Sequence, residues 1–206
     1  MYIPAQYKMH ETDEMMRFMH DNPFAIIVSD TLHATHVPVE IEKNSEGKYV
    51  IRTHVSKANP HWRILQNGKE VMVIFNGPHT YISSSWYDHV NVPTWNYMAV
   101  HVYGIPGILQ GEIVRDMLDR LVNRYEKNSV NPVHIDKMPA DFFEKHLKGI
   151  VALEISIDRM EGVKKLSQNR DEKNFSEVIK QLEMRMDAES AAVAKEMSRL
   201  KDELFK

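Results

Sequence analysis

Hydrophobic and polar positions along the chain change period several times, and each change marks an element. Residues 12–21 place Met15, Met16, Phe18 and Met19 among charged neighbours. Thr12 can cap this helix, Asp13 and Glu14 suit its positive end, and Asn22-Pro23 stops it. Residues 24–29 are a short apolar run that reads as a buried strand, with 33–41 as its hairpin partner and a turn cluster at 44–47. Residues 48–56 then alternate. Tyr49, Ile51, Thr53 and Val55 share one face, while Val50, Arg52, His54 and Ser56 share the other. Ala58-Asn59-Pro60 breaks that strand and opens a short helix at 61–65. Residues 71–75 form a continuous apolar strand that Asn76-Gly77-Pro78 should close, and 81–87 and 95–103 read as further strands around a loop at 88–93.

The period lengthens after residue 111. Ile113, Val114, Met117, Leu118, Leu121, Val122 and Tyr125 recur at helical spacing over 112–126, and 139–147 predicts a shorter helix. Residues 149–158 alternate cleanly, with Val151, Leu153, Ile155 and Ile157 on one face. From 174 to 205 there is neither Pro nor Gly, and Ile179, Leu182, Met186, Val193, Met197, Leu200 and Leu204 keep a three-or-four spacing. This predicts one long helix, or two with a bend near 187–190. Strands crowded before residue 158, with helices inserted and appended, favour a mainly β (α+β) antiparallel barrel with peripheral helices over a doubly wound parallel sheet.

Composition narrows the class. The chain has 206 residues, enough for one sizeable domain, and no cysteine, which removes disulfides, Cys-based metal sites and a Cys nucleophile. There is no signal-peptide pattern and no apolar run of spanning length, so a cytoplasmic, non-membrane protein is expected. The formal net charge of −3 gives no support to DNA binding, whose non-specific part comes from clustered Lys and Arg; the C-terminal stretch is also balanced in sign. The eleven histidines form no metal-ligand spacing: His33 and His36 point to opposite faces of a strand, and no H-E-x-x-H is present. No metal and no catalytic triad is expected.

The chemistry is concentrated between Arg52 and Tyr97, which hold all three tryptophans, Trp62, Trp86 and Trp95. A phosphate needs a cation and several donors, and His54 and Ser56 project from one face of a strand that ends at Lys57, with Thr53 and Asn59 close in sequence. A flat ring needs an aromatic wall and a few polar groups at its edge, for which Tyr81, Trp95 and Asn96 are suited. Each has a plainer reading. Arg52 and His54 fit solvent-facing strand positions, Lys57 a solvated turn, and Trp62 a core residue under the short helix. Trp86 and Tyr87 fit interface anchors, Trp95 and Asn96 a barrel wall, and Ser83 to Ser85 a hydrogen-bonded turn. No G-x-G-x-x-G is present, which argues against a Rossmann-type flavin site.

Residues 54–62, 77–87 and 92–97, together with Met1-Tyr2-Ile3-Pro4 and Lys165-Leu166-Ser167-Gln168-Asn169-Arg170, resemble the signature blocks of the PaiB-like family of FMN-binding negative transcriptional regulators. The resemblance spans about residues 1–182. Two positions depart from the family pattern: Ser84 stands where it has Pro, and Ser56 where it has a small apolar residue. The resemblance implies an FMN-binding split β-barrel with cofactor sites at a homodimer interface. It also implies a cofactor-binding set of Thr53, His54, Ser56, Lys57, Asn59, Tyr81, Ser83, Trp95, Asn96, Lys165 and Gln168. On this reading residues 1–170 form the FMN-binding body, and 171–206 a helical extension packing on the body or the partner subunit. The implied function is repression of transcription touching protease production and sporulation, with DNA contact possible. The alternative is an FMN-dependent oxidoreductase or a haem-handling split-barrel protein.

Overall fold

The computed structural model describes residues 1–206. Eight strands, β1 (Phe24–Val28), β2 (Ala34–Lys43), β3 (Tyr49–Ser56), β4 (Val71–Ile82), β5 (Thr94–Gly104), β6 (Pro106–Leu109), β7 (Ile150–Ser156) and β8 (Arg159–Lys165), form a sheet in the order β6-β7-β3-β2-β1-β4-β5-β8. Six helices accompany them: α1 (Thr12–Asp21), α2 (His61–Leu65), α3 (Glu112–Glu126), α4 (Ala140–Leu147), α5 (Glu172–Glu183) and α6 (Ala188–Leu204). The chain divides into two compact units, one of Met19–Phe75 and Val102–Met160, the other of Met1–Phe18, Asn76–His101 and Glu161–Lys206.

In the first unit the alternation read from residues 48–56 sets the two faces of β3. Antiparallel pairing puts Val39 opposite Thr53, Ile41 opposite Ile51, Thr53 opposite Leu153 and Ile51 opposite Ile155. Cross-strand partners point the same way, so these side chains make one buried apolar face, and Val39, Ile51, Leu153 and Ile155 are all but inaccessible. Each such side chain contributes roughly 1.5–3 kcal/mol by leaving water. The opposite face carries Arg52, His54 and Ser56 against Glu154, Ala152 and Ile150. Helix α3 covers part of it: Val114 and Met117 bury against Ala152, with Leu109, Leu147 and Ile150 around them. Arg52 is not solvent-facing. It is 6% exposed, and its guanidinium donates to Glu42 Oε2 at 2.6 Å and to Glu154 Oε2 at 2.8 Å. Arg120 of α3 makes a bidentate pair with Glu42, at 2.6 and 2.8 Å.

In the second unit α5 and α6 form a capped pair. Asp171 accepts from Asn174 N, and Asp187 from Ser190 N. Phe175, Val178 and Leu182 of α5 and Val193 and Met197 of α6 are fully buried. Of the two alternatives for residues 174–205 the structure takes the broken one, because Asp187 caps a new helix. The pair is fixed to the end of β4. Arg185 donates to Thr80 Oγ1 at 3.2 Å and Tyr81 O at 2.8 Å, Ser190 meets Thr80 through hydroxyls 3.0 Å apart, and His79 N donates to Glu189 at 3.0 Å.

Three readings of the pattern are corrected. Asn76-Gly77-Pro78 does not end β4, which runs on to Ile82. Gly77 is there for close approach: a Cβ on it would lie 2.4 Å from the Phe18 ring. Residues 81–87 are consequently not a separate strand; Ser84–Trp86 is a 3-10 turn capped by Ser83, whose Oγ accepts from Ser85 N. Trp62 is half-buried rather than a core residue, and its indole N–H donates to Lys57 O at 3.0 Å. His61 and Leu65 are the residues of α2 that go inside.

Candidate functional site

The proposed ligand set falls into two groups, one in each unit. Thr53, His54, Ser56, Lys57 and Asn59 lie at the end of β3 and in the turn after it. Thr53 faces the core, away from His54 and Ser56, and its hydroxyl donates to Pro38 O at 2.6 Å. Asn59 is also committed: Nδ2 donates to Thr35 Oγ1 at 3.1 Å and Oδ1 accepts from His61 N at 3.0 Å, which starts α2. Ser56 is exposed and accepts from Ala58 N at 3.3 Å.

His54 and Lys57 have capacity left. His54 is half-buried on the α3 side of the sheet, its Nδ1 is buried with no partner, and burial pushes its imidazole pKa down. It is therefore a neutral ring with an unused polar atom. Lys57 is anchored through its backbone, with N donating to Gly149 O at 2.8 Å and O accepting from Trp62, while its side chain stays exposed. It lines a cavity of about 470 Å³ together with apolar Leu109, Val114, Leu147 and Val151 and the charged Glu112 and Arg115. That volume lies in the range of small-molecule sites. An apolar wall with an uncommitted ammonium at its edge fits a flat phosphorylated ligand, so this unit passes the chemical test for FMN.

The second group contains Tyr81, Ser83, Trp95, Asn96, Lys165 and Gln168. Trp95 is 54% exposed and Tyr81 39%. Tyr81 meets Trp95 edge-on with centroids 6.2 Å apart, and the His79 ring lies 6.3 Å from Trp95. The three rings make an open aromatic surface. Asn96 is fully buried and exchanges hydrogen bonds with Ser167, Nδ2 to Oγ at 3.0 Å and Oγ to Oδ1 at 3.1 Å. Gln168 closes its own turn, accepting from Leu166 N at 2.7 Å and donating to Lys164 O at 2.5 Å. Lys165 donates to Thr94 Oγ1 at 2.5 Å beside a small cavity. Its ammonium titrates below the usual lysine range, through burial first and the neighbouring Arg170 second.

Sequence reasoning passed over Arg170 and Thr94 as site residues, although both lie in the matched blocks. Two cations five residues apart with no acid between them was the available signal for Arg170. Arg52, weighed as a phosphate ligand, is consumed by Glu42 and Glu154.

The antiparallel sheet with inserted and appended helices defines an α+β protein of the flavin-type split-barrel class. In the solved structures the chain has a TM-score of 0.57 with a conserved hypothetical protein from Mycobacterium tuberculosis, at 12% identity, covering 83% of this chain and 94% of that one. It has a TM-score of 0.54 with the FAD and heme binding protein from Mycobacterium smegmatis, at 15% identity, covering 77% of this chain and 73% of that one. At these identities the likeness is one of fold.

The sequence comparison goes further. Residues 1–159 match the family described as "Putative FMN-binding domain". The chain is 39% identical over 209 residues to "Protease synthase and sporulation protein PAI 2" of Bacillus subtilis (strain 168), covering 100% of this chain and 99% of that protein. The chain belongs to the PaiB-like family of FMN-binding proteins.

Proposed function

We propose that this protein is a negative regulator of transcription of the PaiB type, acting on protease production and sporulation, and that FMN or a related flat phosphorylated ligand is its cofactor or effector. The observation that carries the reading is the end-to-end likeness to the Bacillus subtilis protein, which extends through the C-terminal helices as well as the FMN-binding domain. The site chemistry supports it. Lys57 supplies the phosphate-binding cation and the apolar cavity wall beside it the packing surface, while His54, on the strand that leads to Lys57, keeps an unpartnered Nδ1. Tyr81, Trp95 and the serine-capped turn at Ser83 belong to the ligand surface of the other unit, and Asn96, Lys165 and Gln168 complete the set there. The protein acts as a homodimer in the cytoplasm, on an FMN-binding body of residues 1–170 with 171–206 as the helical extension. No helix is long and apolar enough to cross a membrane.

Absorbance of the purified protein in the flavin bands, followed by FMN titration, tests the cofactor. Lys57→Ala is expected to weaken FMN at least about tenfold, the size of one lost charge-assisted contact; unchanged affinity removes Lys57 from the phosphate site. Regulation divides between direct and indirect routes. With a net charge of −3, direct operator binding requires a local basic surface and a steep salt dependence. A mobility-shift series across salt decides: no specific shift at low salt leaves regulation through a partner protein.

A further inference from the structure

A second site lies in the unit that contains the C-terminal helices. Lys165 ends β8, and the turn that follows brings Arg170 back beside it, with Arg170 N donating to Ser167 O at 3.0 Å. Ser167 holds a left-handed backbone, φ +64, with a side chain that ordinarily avoids it. Its reciprocal hydrogen bonds with buried Asn96 keep it there. Backbone strain of this kind collects at ligand sites. The turn closes a cavity of about 120 Å³ lined by Lys165, Arg170, Thr94, Asn96 and Ser167.

The charges around this cavity lack a counter-ion. Lys165 spends one hydrogen bond on Thr94, and Arg170 reaches Asn91 Oδ1 only at 3.5 Å while stacking 4.9 Å over the Tyr87 ring. Neither is ion-paired with a carboxylate. Arg170 Nε, a group of the cavity lining, is buried without a partner. That atom can donate, and two like charges held together call for an acceptor of negative charge. At roughly 30 Å³ per water the cavity holds a tetrahedral oxyanion with room for a water or two, and is far too small for a three-ring flavin. We propose that the Lys165–Arg170 pocket binds a small oxyanion, a phosphate or phosphoryl group. The assignment does not rest on flavin binding at Lys57.

Calorimetric titration of the full chain with inorganic phosphate at low ionic strength tests it. Saturable binding is expected in the wild type and in Lys69→Met, which removes an exposed charge elsewhere. Lys165→Met and Arg170→Met are expected to weaken it at least tenfold, and the milder Thr94→Val a few-fold. Circular dichroism identifies folded variants. Should neither charge variant fold, the wild type decides alone: its melting temperature rises with phosphate concentration and not with chloride of matched ionic strength. No saturable phosphate binding, or equal affinity in folded Lys165→Met and Arg170→Met, overturns the site. Displacement of phosphate by FMN but not by riboflavin identifies the phosphoryl end of a nucleotide as the source. Phosphate retained in the presence of FMN identifies the free anion. Either result upholds the pocket, and loss of FMN binding in Lys57→Ala with phosphate binding intact separates the two readings.

Discussion

Single residues carry much of the conformational cost in this chain. Leu32 sits in the β1–β2 hairpin loop with φ +63 and 84% of its surface open. A leucine in the left-handed region costs about 1–2 kcal/mol, and here no burial offsets it. Leu32→Gly is therefore expected to gain about 0.5–1 kcal/mol net of the added chain entropy, read as a raised urea midpoint at unchanged slope. Gly104 is the reverse case. A Cβ on it would stand 1.8 Å from Ser156 O, and the neighbouring Ser156 Oγ already accepts from Ile105 N at 2.8 Å. The Ser156 carbonyl has no room to retreat, so Gly104→Ala is expected to cost at least about 1–3 kcal/mol, the usual range for overpacking. A variant as stable as the wild type in chemical denaturation would show that the strand gives way more easily than its hydrogen bonds suggest.

At the scale of elements, the ion cluster over β2, β3 and β7 is the most exacting feature. Arg52 satisfies Glu42 and Glu154 at once, with its side chain 7% exposed and theirs 15% and 26%. Such clusters add little relative to an apolar replacement but break expensively when one member leaves. Arg52→Met is expected to cost about 3 kcal/mol, and adding Glu154→Gln to recover part of it, which a double-mutant cycle in urea measures.

Strand alternation made β3 and β7 legible in advance, apolar positions at helical spacing made α3 legible, and the polar, acidic first turn made α1 legible. Those signals are local: they depend on side-chain period and on the first turn of a helix. The extension of β4 through Asn76–Pro78 depends instead on Phe18, far away in sequence, lying against Gly77, and a turn-forming tripeptide gives no hint of that. Strand β8 was missed because Gly162 interrupts its apolar pattern; a Cβ there would lie 2.9 Å from Met9 and Met15. The site divides in the same way. Lys57 could be placed from its strand end. That Arg52 is consumed by carboxylates on two other strands, or that Arg170 turns back on Lys165, becomes visible only when the chain is folded.

For the molecule as a whole, three imidazoles set a pH dependence. Burial pushes His54, His61 and His101 below the ordinary histidine pKa. Charge opposes protonation too: that of His33 at His61, and that of the N-terminal ammonium, partly offset by Glu161, at His101. The unfolded chain takes up these protons near pH 6.5 while the folded protein does not, so stability is full above that value and falls as the pH drops towards the folded pKa values. Denaturation midpoints from pH 8 to pH 5 are expected to decline on the acid side, and His54→Gln to shallow the decline. An equally steep profile in that variant would place the proton uptake elsewhere.

The aromatic surface on β4 and β5 has an optical consequence. Trp95 is open to water, whereas Trp62 and Trp86 are half-buried and each lies under a guanidinium, those of Arg63 and Arg185. Iodide should therefore quench one indole of the three preferentially, and the red edge of the emission spectrum belongs to that indole. A second copy of the chain resting on this face will announce itself as a blue shift and a loss of iodide quenching, and a flavin ring as a loss of that indole's emission, with no label added.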